Sequence, residues 1–287
     1  MAFGRVAIPL AALALVWVGG SALAGDEPAA ARKACLVVDT DVGLDDYRAF
    51  AVATPSRDLR AVVVTEGIST VPNATTAMSM FLAGRGPTPP VLPGFASPKP
   101  PAYDWLPPVR AAAERMNDFL AAPVPTAATG NHLADQVRAS VQGCGRVDLL
   151  VLGPWTSYRH YASALRDPHI VASGRSYAEN NPDNFNCEYD VAACRTAPHS
   201  AVYVDLPATP AYEPTADMVN RLAPTGLPGL LRAVLQTDPS QWAGTRLWDD
   251  TAALFLVEPQ VYAPNGAHLE PTVGEDELRT LLIDAIN

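Results

Sequence analysis

The feature that most constrains the fold of this chain is a series of short, continuous apolar runs separated by segments with helical periodicity. The runs cover residues 34–38, 59–65, 90–92, 147–152 and 201–206. Helical patterns fit residues 46–53, 74–82, 109–120, 131–141, 156–165, 218–222, 229–236, 250–257 and 275–286. An apolar run without alternation is typical of a parallel strand covered on both faces. The sequence therefore predicts the α/β class: a single domain with a mostly parallel Rossmann-like sheet, helices on both faces and a helical C-terminal part.

Composition excludes two broad kinds of protein. Of the 287 residues, 48% are hydrophobic, which is enough to bury a sizeable core and excludes wholesale disorder. The chain carries 30 acidic and 20 basic residues, a net charge of −10. Because binding to phosphate-rich surfaces needs a basic face, we expect no nucleic-acid partner and no anionic-membrane partner.

Residues 1–24 have the pattern of a secretory signal peptide. Arg5 precedes an apolar run over residues 6–18, and Ala22-Leu23-Ala24 forms an A-x-A cleavage site. The alternative, a membrane anchor, needs about 20 apolar residues, more than this run provides. We therefore expect cleavage after Ala24, a mature domain over residues 25–287, and a secreted or periplasmic protein that no longer touches the membrane.

The cysteines are best interpreted together with export. Four cysteines in an oxidising compartment suggest disulfides, with buried free thiols as the alternative. Cys35 and Cys144 each precede a predicted parallel strand, so they are expected at the same sheet edge. Cys187 and Cys194 are too far apart to pair on one helix, since each residue adds about 1.5 Å. We predict the pairs Cys35–Cys144 and Cys187–Cys194, with Cys187 in the loop before the helix that Asp190 caps.

The segment DTDVGLDD at residues 39–46 carries the clearest chemical signal. It places four aspartates within eight residues at the end of a buried strand, where like charges repel unless protons or a cation intervene. Helix capping by solvated acids explains Asp45 or Asp46, because a helix N-terminus favours negative charge. It does not explain Asp39 and Asp41. A divalent-cation site with oxygen ligands, most simply Ca²⁺, explains all of them better.

A D-x-D after the first strand also occurs in haloacid-dehalogenase-like phosphatases, in which the first aspartate is the nucleophile. That family requires a lysine near the phosphate. The only lysines here are Lys33, before the first strand, and Lys99, within a proline-rich stretch. Neither lysine is well placed to contact a phosphate at the strand ends, so the phosphatase hypothesis is disfavoured.

The motif instead resembles D-T-D-P-G-x-D-D, the signature of nucleoside hydrolases of the inosine–uridine-preferring type, with Val42 in place of the proline. Further stretches resemble that family in the same order along the chain. They are residues 90–94 (PVLPG), 152–157 (LGPWTS), 183–186 (DNFN), 190–193 (DVAA) and 247–252 (LWDDTA). The resemblance covers nearly all of the predicted mature chain and implies a small-molecule substrate, a nucleoside or related riboside.

The resemblance also implies roles for individual residues. Ca²⁺ would be bound by Asp41, Asp46, Asp249 and the backbone carbonyl of Thr156, with Asp41 as the general base that activates water. Substrate contacts are implied for a further set, in which either of two neighbouring asparagines fits one ribose-binding position: Asp45, Asn180, Asn181, Asn184, Asn186 and Trp248.

Three departures from the family pattern lie in the substrate pocket. Asn184 replaces a glutamate, Ile68 replaces an asparagine, and Trp248 replaces the histidine that protonates the leaving base in several members. The sequence thus favours an exported Ca²⁺-dependent N-glycosidic hydrolase. The alternative is a ribose- or nucleoside-binding protein of the same fold with weak or no hydrolase activity. A homo-oligomer is possible, and the sequence leaves the oligomeric state open.

Overall fold

The computed structural model describes residues 33–83, 88–120, 132–179, 184–237, 239 and 245–287, without the side chains of residues 115–120. Lys33–Asn287 form one compact unit. The predicted signal peptide, Asn180 and Asn181 lie outside the described residues. Within the described part of the chain, no helix is long and apolar enough to cross a membrane.

An eight-stranded sheet forms the centre of the domain, in the order β3-β2-β1-β4-β5-β6-β8-β7. All neighbouring strands pair in parallel except β7 and β8. The strands are β1 (Cys35–Thr40), β2 (Asp58–Val64), β3 (Val91–Pro93), β4 (Val147–Val151), β5 (His169–Ser173), β6 (Val202–Val204), β7 (Tyr262–Asn265) and β8 (His268–Pro271). The mostly parallel sheet confirms the predicted α/β class.

Three strands were not predicted. β5 has the sequence HIVAS, whose apolar run is too short to stand out. β7 and β8 form an antiparallel hairpin with a two-residue turn, Gly266-Ala267, in which Gly266 has a φ of +67°. Pro264 lies within β7, which is an edge strand and so tolerates a residue without an N–H.

The helices in the described residues alternate with the strands. They are α1 (Leu44–Ala53), α2 (Val71–Leu82), α3 (Leu106–Leu120), α4 (Leu133–Ser140), α5 (Tyr158–Tyr161), α6 (Phe185–Glu188), α7 (Val191–Cys194), α8 (Ala216–Arg221), α9 (Gly226–Thr237), α10 (Trp248–Phe255) and α11 (Glu275–Ile286). Short 3₁₀ turns cover Ala162–Ala164, Tyr177–Glu179 and Pro259–Val261. The helix predicted over 156–165 is therefore a single α-turn followed by a 3₁₀ turn.

Apolar side chains of β1 alternate between two cores because successive residues of a strand point to opposite faces. Leu36 and Val38 belong to the core that includes α1, α2, α10 and α11. Val37 joins the core on the other face, with residues of α4, α5 and α7. Helices therefore cover both faces of the sheet, as the continuous apolar runs predict.

Both predicted disulfide pairs are present. Cys35–Cys144 ties the start of β1 to the turn before β4, with a Cα–Cα distance of 6.0 Å. Cys187–Cys194 has a Cα–Cα distance of 5.1 Å. The prediction that Cys187 lies in a loop is wrong, since it is part of α6. A turn at Tyr189 and Asp190 separates α6 from α7 and lets the two sulfurs meet.

Candidate active site

A cleft of about 900 Å³ lies at the carboxyl ends of the strands, where parallel α/β folds bind ligands. Two helices begin at this edge, α1 after β1 and α10 further along the chain. Asp45 and Asp46 are in the first turn of α1, and Asp249 is in the first turn of α10. One carboxylate oxygen from each of these three residues lies within 4.8 Å of the others. The topology thus converges acids from distant parts of the sequence.

Asp46 lies beneath the cleft and is held by the turn before α1. Thr40 Oγ1 donates a hydrogen bond to Oδ1 of Asp46, and the Gly43 amide donates to Oδ2 at 2.7 Å. Val42, inside this turn, is buried and has a φ of +55°, a region that β-branched residues rarely adopt. The amide of Val42 donates to Thr40 Oγ1 at 3.2 Å. The whole DTDVGLDD segment is therefore one rigid strand–turn–helix unit.

Asp41 lies directly after β1 and faces the loop that follows β2. The Ile68 amide donates to Oδ2 of Asp41 at 2.9 Å. Burial raises the pKa of Asp41 to about 7, with repulsion from Asp45 and Asp39 adding to the shift and the Ile68 hydrogen bond opposing it. Gly67 packs against this carboxylate so closely that a Cβ there would lie 2.0 Å from Oδ2. Only glycine fits this position.

Within the part of the chain that the structure describes, no basic side chain forms an ion pair with Asp41, Asp45, Asp46 or Asp249. Burial raises the pKa of Asp45 to about 7 and raises the pKa of Asp46 and of Asp249 well above its usual range, and mutual repulsion adds to each shift. The adjacent guanidinium of Arg48 is bound to Asp250, at 2.7 and 2.9 Å. An oxygen-only donor set with uncompensated negative charge fits a hard divalent cation.

The structure brings most of the predicted metal set together. Asp46 and Asp249 converge as predicted, and Asp45, predicted only as a substrate contact, joins their cluster. Asp41 lies close enough to Asp46 for repulsion between the two carboxylates to raise the pKa of Asp46. Thr156 is buried in the loop after β4, where its hydroxyl donates to Asp190 Oδ2 at 3.0 Å. The roles of Asp41, Asp46, Asp249 and the Thr156 carbonyl as metal ligands stay predictions.

Asp39 is also buried, but it turns away from the cleft and does not line it. Thr65 Oγ1 donates to its Oδ1 at 2.5 Å, and the Tyr161 hydroxyl donates to its Oδ2 at 2.7 Å. Burial raises the pKa of Asp39 to about 7 against these two hydrogen bonds. Thr65 also contacts Ser157 Oγ at 2.6 Å, so Asp39 ties the ends of β1 and β2 to the loop after β4.

The predicted substrate residues that the structure describes all line the cleft, namely Asp45, Asn184, Asn186 and Trp248. Asn184 is nevertheless committed to the fold, because its Nδ2 donates to the Arg175 carbonyl and its Oδ1 accepts from the Arg175 amide at 3.4 Å. Asn186 donates to the Leu152 carbonyl at 2.9 Å. Trp248 is 39% exposed at the rim.

Sequence reasoning alone does not reveal an aromatic wall that closes one side of the cleft. Tyr103 and Trp105 come from the proline-dense connection before α3, and Phe185 begins α6. Their ring centroids lie 5.1 to 5.9 Å apart. The Tyr103 hydroxyl donates to Glu188 at 3.1 Å. Tyr103 and Trp105 are visible in the sequence as an aromatic pair, but their packing against Phe185 is a tertiary contact.

No family model matches this sequence, and no curated protein does. Solved structures do match. The purine-preferring ribonucleoside hydrolase from Gardnerella vaginalis is 16% identical, with a TM-score of 0.64 over 88% of this chain and 98% of that one. The inosine-uridine preferring nucleoside hydrolase from Bacillus anthracis is 16% identical, with a TM-score of 0.56 over 88% and 99%. The effector protein XOO4466 is 15% identical, with a TM-score of 0.62 over 90% and 95%. The chain therefore has the nucleoside hydrolase fold, as its motifs predict.

Proposed function

We propose that this chain is an exported Ca²⁺-dependent hydrolase that releases base and ribose from nucleosides or related ribosides. The observation that carries the proposal is the cluster of buried, uncompensated aspartates at one end of a cleft with an aromatic wall. Carboxylates near a ribose stabilise the oxocarbenium-like transition state of glycoside hydrolysis. The aromatic wall suits a flat base.

Asp41, Asp46, Asp249 and the Thr156 carbonyl would hold Ca²⁺, since these are the oxygen ligands that Ca²⁺ prefers. When bound, the ion would orient a water molecule and make it more acidic. Asp41 would act as the general base for the attacking water, because its carboxylate lines the cleft beside the other acids.

Asp45 and Asn186 would bind ribose hydroxyls, since both line the cleft. The carboxylate of Asp45 accepts hydrogen bonds from hydroxyls, and so does the Oδ1 of Asn186, whose Nδ2 donates to the Leu152 carbonyl. Holding the sugar by these groups keeps its anomeric carbon next to the water that Asp41 activates.

The proposed site offers polar contacts to the ribose, but at position 248 it offers no group that protonates the leaving base. Trp248 occupies the position of the family's histidine, and its indole N–H donates a hydrogen bond but does not transfer a proton. The guanidinium of Arg246 lies 5.5 Å from the centroid of this ring. We propose that Trp248 and the aromatic wall hold the base by stacking, so ribosides with good leaving groups are the fastest substrates.

The second candidate is a ribose- or nucleoside-binding protein with weak or no hydrolysis. The commitment of both polar groups of Asn184 to the Arg175 backbone favours it, because a side chain used in this way has less capacity for a ribose hydroxyl. The tryptophan at position 248 favours it as well.

One experiment separates these candidates. Purified mature protein is incubated with Ca²⁺ and a panel of ribonucleosides and nitrophenyl ribosides, and free ribose is measured. Asp41→Asn serves as the inactive control. The hydrolase proposal predicts ribose release by the wild type and at most traces from the variant. Saturable nucleoside binding by calorimetry without ribose release would instead establish the binding protein.

Export rests on the N-terminal pattern, and the two disulfides are compatible with it. We propose that residues 1–24 are removed during secretion. N-terminal sequencing of the exported protein should begin at Gly25.

A further inference from the structure

Arg110, in the second turn of α3, reaches the loop that follows β2. Its Nε donates to the Ile68 carbonyl at 2.9 Å, and its Nη2 donates to the Gly67 carbonyl at 2.6 Å. Two successive carbonyls are thus bound by one planar guanidinium, a geometry that lysine does not reproduce. The same Nη2 contacts the Tyr189 hydroxyl at 3.1 Å, and Glu66 lies 3.7 Å away.

The peptide group that Arg110 binds is the one that binds Asp41. The Gly67 carbonyl and the Ile68 N–H belong to the same peptide unit, and this N–H donates to Asp41 Oδ2 at 2.9 Å. Arg110 therefore donates a hydrogen bond to the carbonyl of the same peptide group whose N–H donates to the Asp41 carboxylate. Hydrogen bonds connected in this way polarise and strengthen one another.

The loop itself encloses Asp41 from several sides. The Ser69 amide donates to the Asp41 carbonyl at 3.1 Å, and the Ser69 hydroxyl donates to the Val42 carbonyl at 2.9 Å. Gly67 packs against the Asp41 carboxylate with no room for a Cβ. A shift of this loop is therefore transmitted to the orientation of the Asp41 carboxylate.

Arg110 is outside the cleft, although its helix contributes to it. Val109, Ala112 and Ala113 line the cleft, whereas Arg110 does not. Glu66 is close enough to offset part of the guanidinium charge, and the Tyr189 hydroxyl donates to Glu66 at 2.8 Å. The contribution of Arg110 is thus one of geometry rather than of net positive charge in the site.

We propose that Arg110 is a positioning residue that orients the Asp41 carboxylate through the Gly67–Ile68 peptide group. The inference rests on the proposed function, in which Asp41 is both the general base and a Ca²⁺ ligand. Arg110 makes no contact with substrate or cation and acts only through the loop.

The test compares Arg110→Ala and Arg110→Lys with the wild type at saturating Ca²⁺, using a nitrophenyl riboside. We expect kcat to fall about 10- to 100-fold in Arg110→Ala, the range typical of groups that orient metal ligands, while KM changes little. Added guanidinium ion at non-denaturing concentration should restore part of kcat in Arg110→Ala. Arg110→Lys should fold but show most of the same loss of kcat, because lysine does not bind both carbonyls as arginine does.

Arg60→Ala is the matched control. Arg60 also donates from Nε to a backbone carbonyl, that of Ser140 at 2.9 Å, but it is the third residue of β2, near the opposite end of the sheet. This variant should keep the wild-type kcat. A double variant, Arg110→Ala with Asp41→Asn, should be no slower than Asp41→Asn alone, because the effect of Arg110 passes through Asp41.

Calorimetric Ca²⁺ affinity gives a readout that does not depend on turnover. We expect Arg110→Ala to bind Ca²⁺ about tenfold more weakly than the wild type. A folded Arg110→Ala protein with wild-type kcat and wild-type Ca²⁺ affinity would overturn the inference. A wild type that binds Ca²⁺ but hydrolyses no riboside defeats the proposed hydrolase alone, since the affinity comparison still decides the role of Arg110. A wild type that neither binds Ca²⁺ nor hydrolyses a riboside would contradict the proposed function and the role of Arg110 together.

Discussion

Two groups of buried acidic residues lie at opposite ends of the neighbouring strands β1 and β4. They differ in how their negative charge is compensated. At the amino end, the fully buried Asp148 is bound by Arg57 at 2.7 Å, Arg146 at 2.8 Å and His169 at 3.3 Å. Burial alone would raise the pKa of Asp148, but the hydrogen bonds from His169, Arg57 and Arg146 lower it to about 2. At the carboxyl end, burial and mutual repulsion raise the pKa of four aspartates, Asp41, Asp45, Asp46 and Asp249.

The difference shows at which end of the sheet the chain itself supplies the cations that compensate buried carboxylates. Asp148 has partners that the sequence supplies, so its burial stabilises the fold. In the described residues, Asp41, Asp45, Asp46 and Asp249 form no ion pair with a basic side chain. Such an arrangement persists in a folded protein when a proton or a bound cation compensates. Perturbed acids of this kind in a cleft mark candidate functional sites.

The largest effect should come from replacing the candidate base. We expect Asp41→Asn to lower kcat by about 10²–10⁴-fold, because it removes a general base while keeping the shape of the side chain. Asp148→Asn, at the other end of the sheet, should leave kcat near the wild-type value. Steady-state kinetics with a nitrophenyl riboside measures both. Equal losses in the two variants would break the distinction between the two ends.

Removal of a ligand at the carboxyl end should abolish cation binding. We expect Asp249→Ala to lose Ca²⁺ binding in calorimetry, because it deletes one of three converging carboxylates. A chelator should lower the Tm of the wild type, since Ca²⁺ stabilises the state that binds it. The same chelator should leave the Tm of Asp249→Ala unchanged. Unaltered Ca²⁺ content in this variant would contradict the ligand assignment.

At the amino end the expected effect concerns stability and acid. The pKa of Asp148 falls from its ordinary value of 3.8 to about 2 on folding. Its contribution is therefore fully present above about pH 4 and is lost as the pH drops through 2. After allowance for the exposed partners Arg146 and His169, we expect about 1–2 kcal/mol. Denaturant unfolding of the wild type and Asp148→Asn should show a difference at pH 5 that shrinks towards pH 2.

The smallest change should follow from restoring a proton donor. We expect Trp248→His to raise turnover of inosine or uridine, whose bases are poor leaving groups, and to change cleavage of nitrophenyl ribosides little. The ratio of kcat/KM for the two substrate classes measures this. Brisk hydrolysis of nucleosides by the wild type, with no gain in the variant, would show that another group protonates the base.

The two ends also differ in how much of each the sequence predicts. The DTDVGLDD segment is contiguous, so its strand, turn and helix follow from local pattern, and Asp249 follows from a second short motif. The aromatic wall depends on how the connection before α3 packs against α6, and the role of Arg110 depends on how α3 packs beside the loop after β2. Local sequence encodes neither arrangement. β5 was missed because a central strand of five residues is stabilised mainly by its neighbours.

The left-handed conformation of Val42 gives the one departure in the first motif a different meaning. Proline has a fixed φ near −65° and no N–H, whereas position 42 has a φ of +55° and donates a hydrogen bond to Thr40. The family's own residue is thus incompatible with the backbone path taken here. A consensus-guided redesign that restored the proline would have to rebuild the turn between Asp41 and α1. The single substitution of valine for proline at position 42 thus goes with a backbone conformation that proline does not adopt. A count of identical residues does not detect such a difference.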